Sequence, residues 1–167
     1  MAPRVLIADK LSPAAVEIFR ARGVEADVKT GLPKEELLKI IDQYDGLAEM
    51  QGRADRNLKV LEDWVAKTDW VAFLAEDKAI RSNTSVCLKV VDPKIAALSD
   101  EAQADFAKKL AGVLEKEGVA YDIAGYRDAP AGLRIWCGAT VETSDVEALT
   151  PWLDWAFATV SAELAAA

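Results

Sequence analysis

The sequence predicts an α/β fold in two styles: a β-α-β-α unit with parallel strands, then an α+β part with an antiparallel sheet and flanking helices. Three observations carry this. Short apolar runs alternate with helix-start signals over the first part of the chain. From about Arg53 the apolar spacing changes to that of longer helices. Two strand-like runs then follow each other across a turn-rich stretch between residues 119 and 137. A boundary between residues 46 and 55 divides the chain into segments 1–48 and 49–167.

Val5-Leu6-Ile7-Ala8 reads as the first strand, and Ser12-Pro13 as an N-cap with proline at the first helical position. Val16 and Phe19 give that helix its apolar side, and Gly23 is a left-handed stop. Val24 to Lys29 alternates as a strand, with Val24, Ala26 and Val28 on one face. Two strands joined through a helix make a right-handed parallel crossover. Pro33 opens a second helix that buries Leu37, Leu38, Ile40 and Ile41 and ends near Gly46.

A longer helix from Arg53 to Thr68 carries Leu58, Leu61 and Val65, with Trp64 beside them. Trp70 to Leu74 is a short apolar piece, and Thr84 to Val91 is a strand with Val86, Leu88 and Val90 facing one way. Ser99 caps a helix that presents Phe106, Leu110, Val113 and Leu114 and stops at Gly118. Val119 to Ile123 and Leu133 to Cys137 are antiparallel strand candidates around the turn residues Arg127 to Gly132. Alternation turns Leu133, Ile135 and Cys137 to a core and Arg134 and Trp136 away from it. The last helix begins near Ser144 with Val146, Leu149, Leu153, Phe157, Val160 and Leu164 as its stripe; that stripe stays in phase across Pro151, so one nearly continuous helix is preferred to two.

Composition removes several function classes. The chain has no histidine, which excludes an imidazole base, Ser-His and Cys-His nucleophile pairs and an ordinary zinc site. Net charge is −8, with 20 basic and 28 acidic side chains and no basic stripe, so nucleic acid is not an expected partner. Residues 1–48 hold 7 basic and 8 acidic groups against 13 and 20 in the remainder, and this acidity reads as a solubility feature. No apolar run reaches the roughly 20 residues of a membrane span and no signal peptide is visible, so a cytoplasmic protein without a membrane partner is expected. Cys87 and Cys137 read as buried free thiols. Asp9-Lys10-Leu11-Ser12 follows the first strand where a dinucleotide-binding protein has its G-x-G-x-x-G, so that mode of binding is excluded.

The opening PRVLIADKLSPAAVEIFRARGVEADVKTGLPKEELLKIIDQYDGLA resembles the N-terminal segment of D-3-phosphoglycerate dehydrogenases, over about residues 1–48. ADRNLKVLEDWVAKTDWVAFLAEDKAIRSNTSVCLKVVDP and AYDIAGYRDAPAGLRIWCGATVETSDVEALTPWLDWAF resemble the C-terminal small domain of alphaproteobacterial-type phosphoserine aminotransferases, over about residues 46–167. The resemblance implies a chimera of two enzymes that catalyse neighbouring steps of serine biosynthesis, joined through Gly46-Leu47-Ala48, a segment that suits either parent. Glu49-Met50-Gln51 stands where the dehydrogenase family has an Arg-Ser pair facing the substrate. The aminotransferase family keeps its Schiff-base lysine, ring-stacking aromatic and phosphate loop in the large domain, which these residues do not resemble. The implied protein is non-catalytic by itself and holds no cofactor, neither the pyridoxal phosphate of one family nor the NAD of the other. Two alternatives stand beside this: an accessory or regulatory subunit of full-length phosphoserine aminotransferase or phosphoglycerate dehydrogenase, or residual phosphoserine:2-oxoglutarate transamination with pyridoxal phosphate.

No catalytic or metal-binding residue is assigned. By resemblance Arg134 is the substrate-carboxylate clamp, a role that needs the bidentate guanidinium fork; against the missing opposite wall, a surface ion pair is the preferred reading. Trp136, Arg81 and Asn83 are candidates for a pocket or an interface, although Arg81-Ser82-Asn83-Thr84 also fits simple turn chemistry. Lys89 reads as a snorkelling surface lysine rather than an imine-forming one. Five tryptophans, Trp64, Trp70, Trp136, Trp152 and Trp155, imply an apolar patch that the N-terminal unit or a second copy of the chain would cover, giving a compact body or a homo-oligomer.

Overall fold

A computed structural model describes residues 3–43, 46–126 and 129–166. The chain forms two compact units, Met1–Ala48 and Glu49–Ala167.

In the first unit β1 (Arg4–Ile7) and β2 (Glu25–Val28) pair in parallel, from Arg4↔Glu25 to Ile7↔Val28, across α1 (Pro13–Ala21). Ser12 Oγ accepts from the Ala14 N–H at 3.3 Å, and Gly23 takes φ +74° just past the helix, a conformation that a side chain would strain. The second helix, α2 (Lys34–Gln43), follows Pro33, whose carbonyl accepts the Glu36 and Leu37 N–H groups. Its expected end near Gly46 falls partly on residues 44 and 45, outside the described residues. Ile7 and Ile40 are buried, whereas Val28 and Leu38, both expected to be covered, are about half exposed. A sheet of two strands is too narrow to cover the apolar groups of its outer positions.

The second unit contains α3 (Gly46–Val65), β3 (Val71–Phe73), β4 (Ser85–Val90), α4 (Pro93–Ala96), α5 (Asp100–Lys116), β5 (Leu133–Trp136) and α6 (Thr143–Ala166), the first three residues of α3 preceding its boundary. Its sheet is antiparallel in the order β3-β4-β5. Inward residues of the three strands, Val71, Phe73, Val86, Leu88, Leu133 and Ile135, meet Leu61 of α3, Phe106, Leu110 and Leu114 of α5, and Leu153 and Val160 of α6. Trp70 stacks on Phe157 with ring centroids 4.5 Å apart, and Trp64 and Phe106 meet that stack edge-on. The mixed α/β class with one parallel and one antiparallel sheet is therefore as the sequence predicts.

Several local expectations are corrected. The helix expected from Arg53 begins at Gly46, because no capping residue or proline interrupts the intervening stretch. The short piece after Trp70 is a paired strand, with the Val91 N–H bonded to the Trp70 carbonyl at 2.7 Å. Asp92 caps a helical turn, α4, that apolar periodicity does not reveal. Val119 to Ile123 is not a strand: the Val119 and Ala120 N–H groups go back to the Leu114 carbonyl, and Asp122 sits at φ +54°. Pairing begins only at Ile123 and Ala124, so the antiparallel approach to Leu133 survives as a single bridge. The connecting turn's Arg127 and Asp128 lie outside the described residues. Helix α6 runs through Pro151 without a break, and of its stripe Leu164 alone is exposed. Cys137 is buried and free; Cys87 is free but only half-buried. No helix among the described residues is long and apolar enough to cross a membrane.

Candidate functional site

The register Ser85↔Trp136, Val86↔Ile135, Cys87↔Arg134 and Leu88↔Leu133 sorts β4 and β5 into two faces. Val86, Leu88, Leu133 and Ile135 enter the core, which leaves Ser85, Cys87, Arg134 and Trp136 on the outer face. Gly132 leads into β5 where a Cβ would lie 2.0 Å from the Leu88 carbonyl oxygen, so glycine is what permits this close approach.

On the edge of β5 away from β4, the Arg134 N–H donates to the Ile123 carbonyl at 2.8 Å, and this bond holds the preceding segment along that edge. The Arg134 side chain is 17% exposed, and its guanidinium donates through Nη2 to Asp122 Oδ2 at 2.9 Å and to the Asp122 carbonyl at 3.2 Å. Its carbon lies 4.6 Å from the centroid of the Tyr126 ring, a cation–π contact. Its Nε is buried without a partner. Trp136 stands beside it, half exposed, with Nε1 donating to Thr140 Oγ1 at 3.3 Å. A side chain at Gly138 would enter the Trp136 ring, so glycine leaves the room the indole occupies. Together Tyr121, Asp122, Arg134, Trp136 and Leu149 line a groove of about 370 Å³. A largely buried cation that lies against the Tyr126 ring and has one end at the groove is suited to holding an anion.

Arg81 and Asn83 do not line this groove. Arg81 is 12% exposed, lies 3.7 Å over the Phe73 ring, and donates to Glu62 Oε1 at 3.1 Å and to the Ala75 carbonyl at 3.3 Å. Asn83 Nδ2 donates to Asp55 Oδ1 at 2.8 Å, while Ser82 Oγ accepts from the Thr84 and Ser85 N–H groups. Lys89, opposite Ala72 in the sheet, donates to Glu76 at 2.7 Å, and this hydrogen bond lowers the Glu76 pKa. Burial pushes the Cys137 thiol up to about 12, which keeps it protonated and inert as a nucleophile. Among the described residues no group of three Cys, Asp or Glu side chains is placed to hold a metal ion.

Two residues that organise the site escape a reading by apolar periodicity. Asn57 is fully buried; its Nδ2 donates to the Cys137 and Val141 carbonyls at 3.1 and 3.0 Å, and its Oδ1 accepts from Thr143 Oγ1 at 2.8 Å. Those bonds fix the turn between β5 and α6, and with it the end of the strand that carries Arg134 and Trp136. The available signal was position, since Asn57 stands between Ala54 and Leu61 on the buried helix face. Asp154 accepts from both the Trp64 and the Trp70 indole N–H, at 3.1 and 2.9 Å, and so orders the aromatic cluster.

Known proteins resemble this chain in part. No family model matches it. Phosphoserine aminotransferase of Methanosarcina barkeri is 52% identical over 120 residues, 72% of this chain and 30% of that protein, and the enzyme of Methanosarcina mazei is 51% identical over the same length. D-3-phosphoglycerate dehydrogenase of Archaeoglobus fulgidus is 32% identical over 66 residues, 35% of this chain and 12% of that protein. The chain thus spans about 30% of the length of the aminotransferases it matches. Among solved structures, phosphoserine aminotransferase from Bacillus circulans subsp. alkalophilus superposes with a TM-score of 0.56 at 19% identity, covering 74% of this chain and 31% of that one. A second phosphoserine aminotransferase structure, described as showing radiation damage of the Schiff base, gives 0.50 at 14% identity, over 65% and 27%. These structural likenesses concern the fold.

Proposed function

We propose that the chain joins a dehydrogenase-derived segment, residues 1–48, to an aminotransferase-derived small domain, residues 49–167, and that the second part binds a carboxylate ligand at Arg134 without converting it. The carrying observation is the groove around Arg134 and Trp136: it brings the Nη2 end of a guanidinium beside the exposed rings of Tyr121 and Trp136, where a flat surface would have left only an ion pair. The strong partial identity to phosphoserine aminotransferases supports serine-biosynthesis ancestry for this groove. The residues do not make a fit for pyridoxal phosphate. Lys89, the lysine at the sheet's outer face, is charge-paired with Glu76 and one-third exposed, an ion-paired ammonium rather than a free amine for an aldehyde.

The experiment is a titration of the purified chain with L-phosphoserine, followed through the Trp136 indole N–H resonance. Saturable binding is expected, weakened about tenfold by Arg134→Lys, which keeps the charge but loses the planar fork. Unchanged binding in that variant would remove Arg134 from the reading. Transamination of 2-oxoglutarate by the chain supplied with pyridoxal phosphate and phosphoserine would overturn the non-catalytic part.

A second reading, association with another copy or with a full-length parental enzyme, is favoured by the edge-to-face pair Trp152 and Trp155, both 41% exposed on α6. Sedimentation of the chain alone and mixed with either enzyme tests it, with faster-sedimenting species expected; a monomer throughout would remove this reading.

A further inference from the structure

We propose that Asp122 is the specificity-determining partner of Arg134, and that the pair selects an α-amino acid zwitterion over a simple carboxylate. The inference rests on the reading of Arg134 as a carboxylate site and adds the class of ligand.

A carboxylate grips a guanidinium along one of two edges, Nη1–Nη2 or Nε–Nη2. Nη2 belongs to both edges, and it is the nitrogen that donates to the two oxygens of Asp122, the carboxylate at 2.9 Å and the backbone carbonyl at 3.2 Å. An incoming anion therefore has to displace Asp122 to obtain a bidentate grip, and with Nε buried it takes the Nη1–Nη2 edge. Displacement is easy, because the Asp122 side chain is 89% exposed and an ion pair so open to water is weak. Asp122 is also the one non-glycine described residue at positive φ, which sets the direction in which its side chain leaves the backbone at the groove rim.

Once displaced, that carboxylate remains tethered next to the ligand. A ligand that brings only negative charge meets repulsion there. A ligand with an ammonium group on the carbon beside its carboxylate meets an acceptor for that ammonium, between the exposed faces of Tyr121 and Trp136. Arg134 and Asp122 then read the two charged groups of one zwitterion, and exchange their mutual ion pair for two new pairs of opposite charge.

The test compares L-phosphoserine with 3-phosphoglycerate, which carries a hydroxyl where phosphoserine carries the ammonium, by titration of the full chain followed at the Trp136 indole N–H. In the unaltered chain phosphoserine is expected to bind about fivefold more tightly. Asp122→Asn keeps the left-handed backbone, since asparagine tolerates it, and removes the charge. In that variant phosphoglycerate should tighten, phosphoserine should weaken, and the preference should shrink below about twofold. An unchanged preference in Asp122→Asn, or equal binding of the two ligands by the unaltered chain, overturns the role of Asp122 while leaving Arg134 as a carboxylate site. Failure of both ligands to move the Trp136 resonance in either protein up to about 20 mM, or binding indifferent to Arg134→Lys, instead overturns the carboxylate site itself.

Discussion

Residues 1–48 and residues 49–167 are built from the same local signals, yet they bury very different amounts of apolar surface. The first unit buries Ile7 and Ile40 and leaves Leu11, Ile18, Val28 and Leu38 about half exposed. The second closes a core from all three strands of its sheet and from α3, α5 and α6, with Leu61, Leu110, Leu114 and Leu153 fully inaccessible. Helix caps and apolar stripes occur in both, so these local signals do not by themselves set how much apolar surface is buried. What differs is the number of apolar layers that meet, and a two-strand sheet in a segment this short supplies few.

The comparison can be broken most forcefully at Gly132. Gly132→Ala places a methyl group against the Leu88 carbonyl, where backbone and not a flexible side chain must yield. It is expected to destabilise the second unit by about 3 kcal/mol or more, measured by urea unfolding followed through tryptophan fluorescence. That probe is specific, because all five tryptophans lie between positions 64 and 155. A loss below about 1 kcal/mol would mean that the close approach of β5 to β4 is not needed.

Asn57→Ala is the next largest change, because it orphans buried carbonyl groups of Cys137 and Val141 together with the Thr143 hydroxyl. About 2 to 3 kcal/mol should be lost by the same measurement. If the turn after β5 is held by these bonds, the Trp136 indole resonance should also broaden or shift, a change that mere destabilisation of a distant helix would not produce.

A smaller effect, visible only at high pH, belongs to Cys137. Burial raises its pKa from 9.0 to about 12, so the unfolded chain ionises first as pH rises. The unfolded state then holds fewer protons than the folded one, and stability falls through that window by roughly 1 kcal/mol per pH unit. Lysines titrate there too, so the quantity to measure is the difference in slope between the unaltered chain and Cys137→Ala; equal slopes would show that the thiol is not shielded from water.

The smallest effect is expected in the first unit. Ile18→Ala removes a side chain that is 55% exposed and should change stability by less than about 0.5 kcal/mol, measured by hydrogen exchange of the β1–β2 amides. Those amides should exchange faster than those of β4 in the unaltered chain; equal protection would erase the contrast between the units.

Part of the candidate site is legible in sequence. Alternation along Leu133, Arg134, Ile135 and Trp136 is enough to turn the arginine and the tryptophan away from the core. The same kind of reading goes astray one segment earlier, where Val119 to Ile123 has strand-like residues but spends its first N–H groups on the end of α5. Asp122 draws no attention as a single exposed acid, because its significance comes from the arginine across the bridge.

The amino-acid order alone determined the Ser12 and Ser99 helix caps, the helical stripes, the parallel and antiparallel sheet styles and the inward and outward faces of β5. Each depends on backbone geometry within a few neighbours, so each is encoded locally. Only the tertiary structure decided that Asp122 meets Arg134, twelve positions away, and that Asn57 meets Cys137, eighty positions away. It also decided that Val28 and Leu38 remain uncovered while similar residues in the second unit are buried. Such contacts arise when separate elements pack, and their strength depends on the burial and charge that the packed neighbours create.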